Sequence, residues 1–136
     1  GTGEVTVEDY VVVHDCGTIV NPMIVEGQIH GGVAQGLGAA LMEEVMYDEQ
    51  GQPQSSTMLD YHVPVSASLP DIRIEHIEIP SPYTPGGMKG MGEGGTNGAF
   101  GAVVNAVCAA LPDVDWTNVT TPLSPQRVWE AIHAQS

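Results

Sequence analysis

One carboxylate stands among five glycines in the run Lys89, Gly90, Met91, Gly92, Glu93, Gly94, Gly95, Thr96, Asn97 and Gly98. Without a Cβ, such a backbone can take positive φ and lets a ligand come close to bare peptide N–H groups. Glu93 is the only acid in the run, and a carboxylate placed there could move a proton. Residues 99–111 follow as an apolar stretch long enough for a buried helix, which Pro112 would stop. The dipole of that helix would favour an exposed, anionic Glu93 by about 0.3–1 kcal/mol. A base working near neutral pH would therefore need burial to raise its pKa against the dipole. The plain alternative is a solvated glycine loop carrying a surface glutamate. A phosphate loop does not fit, because the lysine precedes the glycines and Glu93 would repel a phosphate at the helix N-terminus.

A second group of candidates lies upstream. Gln28 and Gln35 offer amides on a segment crowded with Gly27, Gly31, Gly32, Gly36 and Gly38. In a helix interior each glycine costs about 0.8–1 kcal/mol relative to alanine, so the crowding asks for a reason. Either another element approaches closely, or a ligand does and the two amides contact it; on the residues alone, packing is favoured. His30 has no second histidine four residues on, so no helical metal pair is formed. Cys16 and Cys108 lie far apart and read as small buried thiols, with no zinc knuckle or redox dithiol. Tyr83 and Phe100 could touch a substrate, but core or loop packing is the favoured role for each.

The elements that must position these groups follow along the chain. Residues 4–13 read as a strand, alternating at Val5 and Val7 and then continuously apolar, and His14 ends it. Gly1, Thr2 and Gly3 before it look like a turn remnant, as if the first arm of a hairpin were missing and the chain were a piece of something larger. A helix is predicted from Asn21 as N-cap and Pro22 as first helical residue to about Tyr47. Ile29, Val33, Leu37, Leu41 and Val45 form its apolar stripe. A turn over 48–53 leads to an extended segment over 57–64. Residues 72–79 read as a half-exposed strand with Arg73, Glu75 and His76 between the isoleucines. An irregular loop over 80–87 delivers the chain to Glu93. A short strand is expected over 113–119, then a last helix capped by Ser124 with Pro125 at its first position, carrying Val128, Trp129 and Ile132 inward. This pattern predicts one α+β domain over residues 1–136, a mixed sheet with packed helices and not a doubly wound fold.

Seventeen acids against three bases give a formal charge of −14. That balance argues against nucleic acid and anionic membranes as partners and leaves a basic protein surface open. No apolar run reaches the length of a membrane span, and no basic region followed by an apolar one opens the chain. A reducing, cytoplasmic setting fits.

Three stretches together resemble the C-terminal part of the molybdopterin-binding large subunit of the xanthine dehydrogenase, aldehyde oxidase and carbon monoxide dehydrogenase family. They are residues 15–22 (Asp15, Cys16 and Gly17 through Asn21 and Pro22), residues 25–38 (Gly27, Gln28, Ile29, His30, Gly31, Gly32 and the glycines beyond) and residues 89–95 around Glu93. The ending from Thr121 to Trp129 is similar as well, so the likeness spans nearly the whole chain. The first two stretches look closer to the bacterial carbon monoxide dehydrogenase-like branch than to animal xanthine oxidase.

The resemblance implies roles for particular residues. Glu93 matches the glutamate beside the molybdenum, taken as the general base that deprotonates a metal-bound hydroxyl for attack on a substrate carbon. Gln28 matches a glutamine that binds the molybdenum–molybdopterin cofactor, in its cytosine dinucleotide form, and the backbone at Met91 and Gly92 matches a segment packed against it. On that view the helical glycines are partly room for cofactor. Binding through backbone N–H groups and an amide suits a chain so poor in bases. The substrate would be an aldehyde, an N-heterocycle or carbon monoxide. The implied partners are the remainder of the molybdenum subunit, an iron–sulfur subunit with [2Fe–2S] clusters and an FAD subunit. The family's subunit is several times longer, so this chain alone is expected to be inactive. A domain that keeps the fold as a non-catalytic scaffold is the alternative.

Overall fold

A computed structural model describes residues 1–134. The elements run β1 (Tyr10–His14), α1 (Pro22–Leu41), β2 (Ile72–His76), α2 (Gly94–Ala110) and α3 (Pro125–His133), with single 3-10 turns at Ser66–Ser68 and Pro85–Gly87. The α+β class is as expected, but its sheet is one parallel pair, β1 beside β2, with Tyr10 opposite Ile72 and His14 opposite His76. Residues 4–9 are not part of that ladder; Val5 and Val7 still pack inward, so the alternation is real but has no partner strand. In β1, Tyr10, Val12 and His14 face inward, as do Ile72, Ile74 and His76 in β2. His76 therefore lies on the isoleucine face and not among the outward polar residues. His14 completes β1 instead of terminating it.

The core is the α1–α2 contact. Asn21 caps α1, its Oδ1 accepting from Ile24 N–H at 3.3 Å. Ile29, Val33 and Leu37 are fully buried there, each worth about 1.5–3 kcal/mol of apolar burial. Ala99, Val103 and Val107 of α2 meet them, and Leu123 and Val128 close the cluster. The helices approach to backbone distance because glycines face each other. A Cβ on Gly32 would sit 2.9 Å from the Gly95 Cα, and one on Gly95 would sit 2.5 Å from the Ile29 carbonyl oxygen.

Other segments differ from expectation for tertiary or side-chain reasons. Helix α1 stops at Leu41, not Tyr47, because residues 43–46 find distant partners: Tyr61 OH donates to Glu43, Arg127 pairs with Glu44, and Met46 N–H donates to Ser55 Oγ. Val45 consequently leaves the stripe and is 53% exposed. The segment over 57–64 turns instead of extending, since Thr57 Oγ1 accepts from Leu59 N–H and the Thr57 carbonyl from Asp60 and Tyr61. Residues 113–119 likewise turn, with Asp115 Oδ1 accepting from Thr117 N–H at 2.9 Å. In α3, Ser124 caps as predicted and Val128 is buried, but Trp129 is 44% exposed, stacked on His133, and Ile132 is also exposed.

Candidate functional site

Beyond their C-terminal ends, β1 and β2 lead into segments that bond to each other. Thr18 N–H donates to the Gly87 carbonyl at 3.2 Å and Lys89 N–H to the Cys16 carbonyl at 2.8 Å, with an antiparallel bridge between Gly17 and Met88. Gly17 has φ +67°, and a Cβ there would lie 2.2 Å from the Gly87 carbonyl oxygen, so no side chain fits. Asp15 ties these segments together. Its Oδ1 accepts from Gly17 N–H at 2.8 Å and Ile79 N–H at 3.2 Å, and its Oδ2 accepts from Lys89 Nζ at 2.5 Å. The Lys89 ammonium, then the Gly17 N–H, hold this carboxyl at about 2, well below the usual carboxylate range.

From Lys89 the glycine run passes alongside α1. Gln28 Nε2 donates to the Gly92 carbonyl at 3.2 Å, so the two predicted cofactor-binding positions meet although they lie 64 residues apart. Met91 is half-buried against the core. Helix α2 begins at Gly94, five residues before the apolar stretch, which makes Glu93 its N-cap position. The Glu93 carbonyl accepts from Thr96 and Asn97 N–H at 3.0 and 3.3 Å, while its carboxylate is exposed and makes no capping bond. The burial that a base near neutral pH needs is not supplied by the described residues around it. On the far side of Glu93, Gly94 lies against the His14 ring; a Cβ there would sit 2.1 Å from His14 Nε2.

The glycines of α1 separate into two groups. Gly32 and Gly36 are occupied by α2, and Gly38 by Pro64 and Glu43. Gly27 and Gly31 have open space where a Cβ would be, as do Gly90 and Gly92 on the loop. The amides separate in the same way. Gln35 accepts from Thr96 Oγ1 at 3.5 Å, across the helix contact, whereas Gln28 lies between the open glycines of α1 and the open Gly92. His30 bonds the Glu26 carbonyl of its own helix at 2.8 Å. Tyr83, expected to pack, is 92% exposed, and Phe100 is partly exposed. Cys16 is buried and Cys108 half-buried, both as free thiols.

Two features of the site went unread in the sequence. His14 and His76 place buried Nδ1 atoms, neither with a hydrogen-bond partner, at the same end of the strand pair. Carrying the period of two through Tyr10 and Val12 would have turned His14 inward. The second feature is that Arg73, Lys89 and Arg127, the chain's three cations, are each in an ion pair, with Asp9, Asp15 and Glu44. Among the described residues no group of three or more His, Cys, Asp or Glu is placed to hold a metal ion, and no helix is long and apolar enough to cross a membrane. Open grooves of about 450 Å³ beside α3 and about 460 Å³ between the N-terminal segment and α2 include neither Gln28 nor Glu93.

Residues 1–70, which include Gln28, match the molybdopterin cofactor-binding domain family. The chain belongs to this family. Over 130 residues the chain is 46% identical to the nicotine 6-hydroxylase large subunit of Paenarthrobacter nicotinovorans, covering 96% of the chain and 16% of that subunit. Its fold matches a Cu,Mo-CO dehydrogenase structure with TM-score 0.90 at 33% identity, over 96% of the chain and 16% of the other. It also matches quinoline 2-oxidoreductase from Pseudomonas putida 86, with TM-score 0.88 at 50% identity, over 93% and 16%. The chain thus spans 16% of the length of each of these relatives. The family match falls on the N-terminal half of the chain, and a place at the C-terminal end of a larger subunit does not follow from it.

Proposed function

We propose that these 136 residues act as one cofactor-binding, base-bearing unit of a molybdenum hydroxylase. Gln28 and the backbone at Met91 and Gly92 would hold molybdopterin, in its cytosine dinucleotide form, and Glu93 would serve as the general base. The observation that carries this reading is the Gln28–Gly92 hydrogen bond, which sets the cofactor-binding amide one residue from the proposed base.

The donor set fits such a group. Gln28 spends one N–H on Gly92, and an amide has further donor and acceptor capacity for a heterocycle or phosphate ester. Open backbone at Gly27, Gly31, Gly90 and Gly92 leaves room for close approach, and the cations are already paired. When bound, the cofactor supplies the metal and the oxidising chemistry. The chain's own part is to orient it through Gln28 and to take a proton at the Glu93 carboxylate. Because Glu93 is exposed here, the cofactor and the remainder of the subunit would set its basicity.

Among aldehydes, N-heterocycles and carbon monoxide, the N-heterocyclic class has the most support. The relatives named for nicotine and quinoline are 46% and 50% identical to the chain, against 33% for the CO dehydrogenase structure. The working assembly would add an iron–sulfur subunit with [2Fe–2S] clusters and an FAD subunit, in the cytoplasm.

The test is Glu93→Gln in the complete subunit. A general base contributes about 10²–10⁴-fold, so turnover per molybdenum should fall by at least about 100-fold with molybdenum content unchanged. Turnover within a few-fold of wild type would remove the base assignment. Absence of molybdenum from the wild-type subunit would favour the scaffold reading.

A further inference from the structure

We propose that Asp15 is a positioning residue for Glu93, acting through its ion pair with Lys89. The proposal rests on the reading of Glu93 as the base. A glycine-rich loop has little of its own to fix it: Gly90 and Gly92 have no neighbour where a Cβ would be, and glycine loses the most backbone freedom on ordering. Contacts at its borders must therefore define where Glu93 points. Beyond Glu93, α2 begins with Gly94 against His14. Before it, the loop is held at Gly92 by Gln28 and at Lys89 by the end of β1.

The grip at Lys89 is the one that joins the most segments. Asp15 bonds its own turn at Gly17, the exit of β2 at Ile79 and the start of the loop at Lys89. The ion pair is partly exposed, with 35% of the Lys89 side chain and 27% of the Asp15 side chain accessible. Pairs of that exposure add little to global stability, so the consequence of losing it should fall on the loop's position and not on the fold. Asparagine at position 15 separates the two. It keeps an oxygen for Gly17 and Ile79 but turns an NH2 donor toward the Lys89 ammonium, removing both the ionic attraction and the hydrogen bond to Lys89.

The experiment uses the complete molybdenum subunit in its assembled complex, as wild type, Asp15→Asn, Lys89→Met, Glu93→Gln and the Asp15→Asn/Glu93→Gln double variant. Readouts are molybdenum content, kcat per molybdenum, KM, and hydrogen exchange of the peptide spanning residues 88–96. Asp15→Asn and Lys89→Met should each keep molybdenum content and KM within about twofold while kcat falls about tenfold, as misplacement of a reacting group by a fraction of an ångström does. The 88–96 peptide should exchange faster in both. On the Glu93→Gln background, Asp15→Asn should cost no more than about a further twofold, because residues acting as one unit are not additive. Wild-type kcat in both single variants would overturn the proposal, and so would effects that multiply in full in the double variant. If Glu93→Gln alone left turnover intact, the base reading would fall, while exchange at 88–96 would still report whether Asp15 holds the loop.

Discussion

Replacing Gly36 with alanine asks whether the glycines of α1 that face α2 are there for packing. The new Cβ would lie 2.4 Å from the Ala99 Cβ and 3.0 Å from the Phe100 amide nitrogen. Carbon atoms rest at about 3.5–4.0 Å, so the helices must separate by about 1 Å along that line. Ala99 has no rotatable group to move aside. Overpacking of this kind costs about 1–3 kcal/mol, and the better helix propensity of alanine returns about 0.8–1 kcal/mol. The net loss should reach about 2 kcal/mol. Gly31 is the control, since nothing lies within 4 Å of its ideal Cβ. Gly31→Ala should therefore gain about 0.8–1 kcal/mol. Native-state hydrogen exchange of the α1 and α2 amides, in the polypeptide that carries this chain, reads both changes locally. At tenfold per about 1.4 kcal/mol, Gly36→Ala should lower protection by up to about 30-fold, and Gly31→Ala should raise it about fourfold. Adding Ala99→Gly to Gly36→Ala should recover part of the loss, with the Phe100 contact remaining. A gain in protection in Gly36→Ala as large as that in Gly31→Ala, or equal losses at both positions, would refute the division of the glycines.

Three further outcomes are expected. Gln28→Ala should leave the fold intact but remove one hydrogen bond of about 1 kcal/mol and the amide proposed to face the cofactor; molybdenum retained after dialysis of the complete subunit should fall several-fold, and full retention would contradict the assignment. The Asp15 carboxyl sits at about 2 in the folded chain, below the ordinary carboxyl value of 3.8. Its stabilisation is thus fully present above the unfolded value and lost as pH falls through the folded one. Exchange at residues 88–96 should accelerate only in that acid window, and loosening already complete at about pH 5 would contradict it. Asn21→Ala should cost about 1 kcal/mol through the lost cap, seen as faster exchange in the first turn of α1; no change would mean that its 3.3 Å bond contributes nothing.

What could be read in the sequence was local. Asn21 with Pro22 and Ser124 with Pro125 are caps whose chemistry lies within four residues, and both helices start where expected. The stripe Ile29, Val33 and Leu37 is buried as its spacing required. What failed was settled at long range or by a side chain competing for the backbone. Residues 43–46 could have continued α1, but Tyr61, Arg127 and Ser55 gave them better partners. Residues 4–9 have strand alternation, and only a partner strand could have made them one. For the site, Glu93 and Gln28 stand out by residue type in their glycine-rich runs, while their specific roles and those of Met91 and Gly92 follow from the resemblance; their spacing does not reveal that Gln28 reaches Gly92. Asp15 was visible in the sequence without its role, because its partner Lys89 lies 74 residues away.

The exposure of Glu93 carries the last step. The Glu93 carboxylate stands exposed at the N-cap position of α2. The chain nonetheless fixes its place from three sides, through Lys89, Gly92 and Gly94. Place and basicity are therefore set by different parts of the protein. The interlocked ends of β1, α1 and α2 decide where the carboxylate stands, and whatever covers it in the complete subunit decides how strongly it takes a proton. Substitutions at Asp15, Lys89 or Gln28 should consequently change the rate or cofactor retention with little effect on the pH midpoint of turnover, whereas substitutions in the covering part should shift that midpoint. A shift of more than about one pH unit in Asp15→Asn, read from the kcat–pH profile, would show that the two roles are not separable in this way.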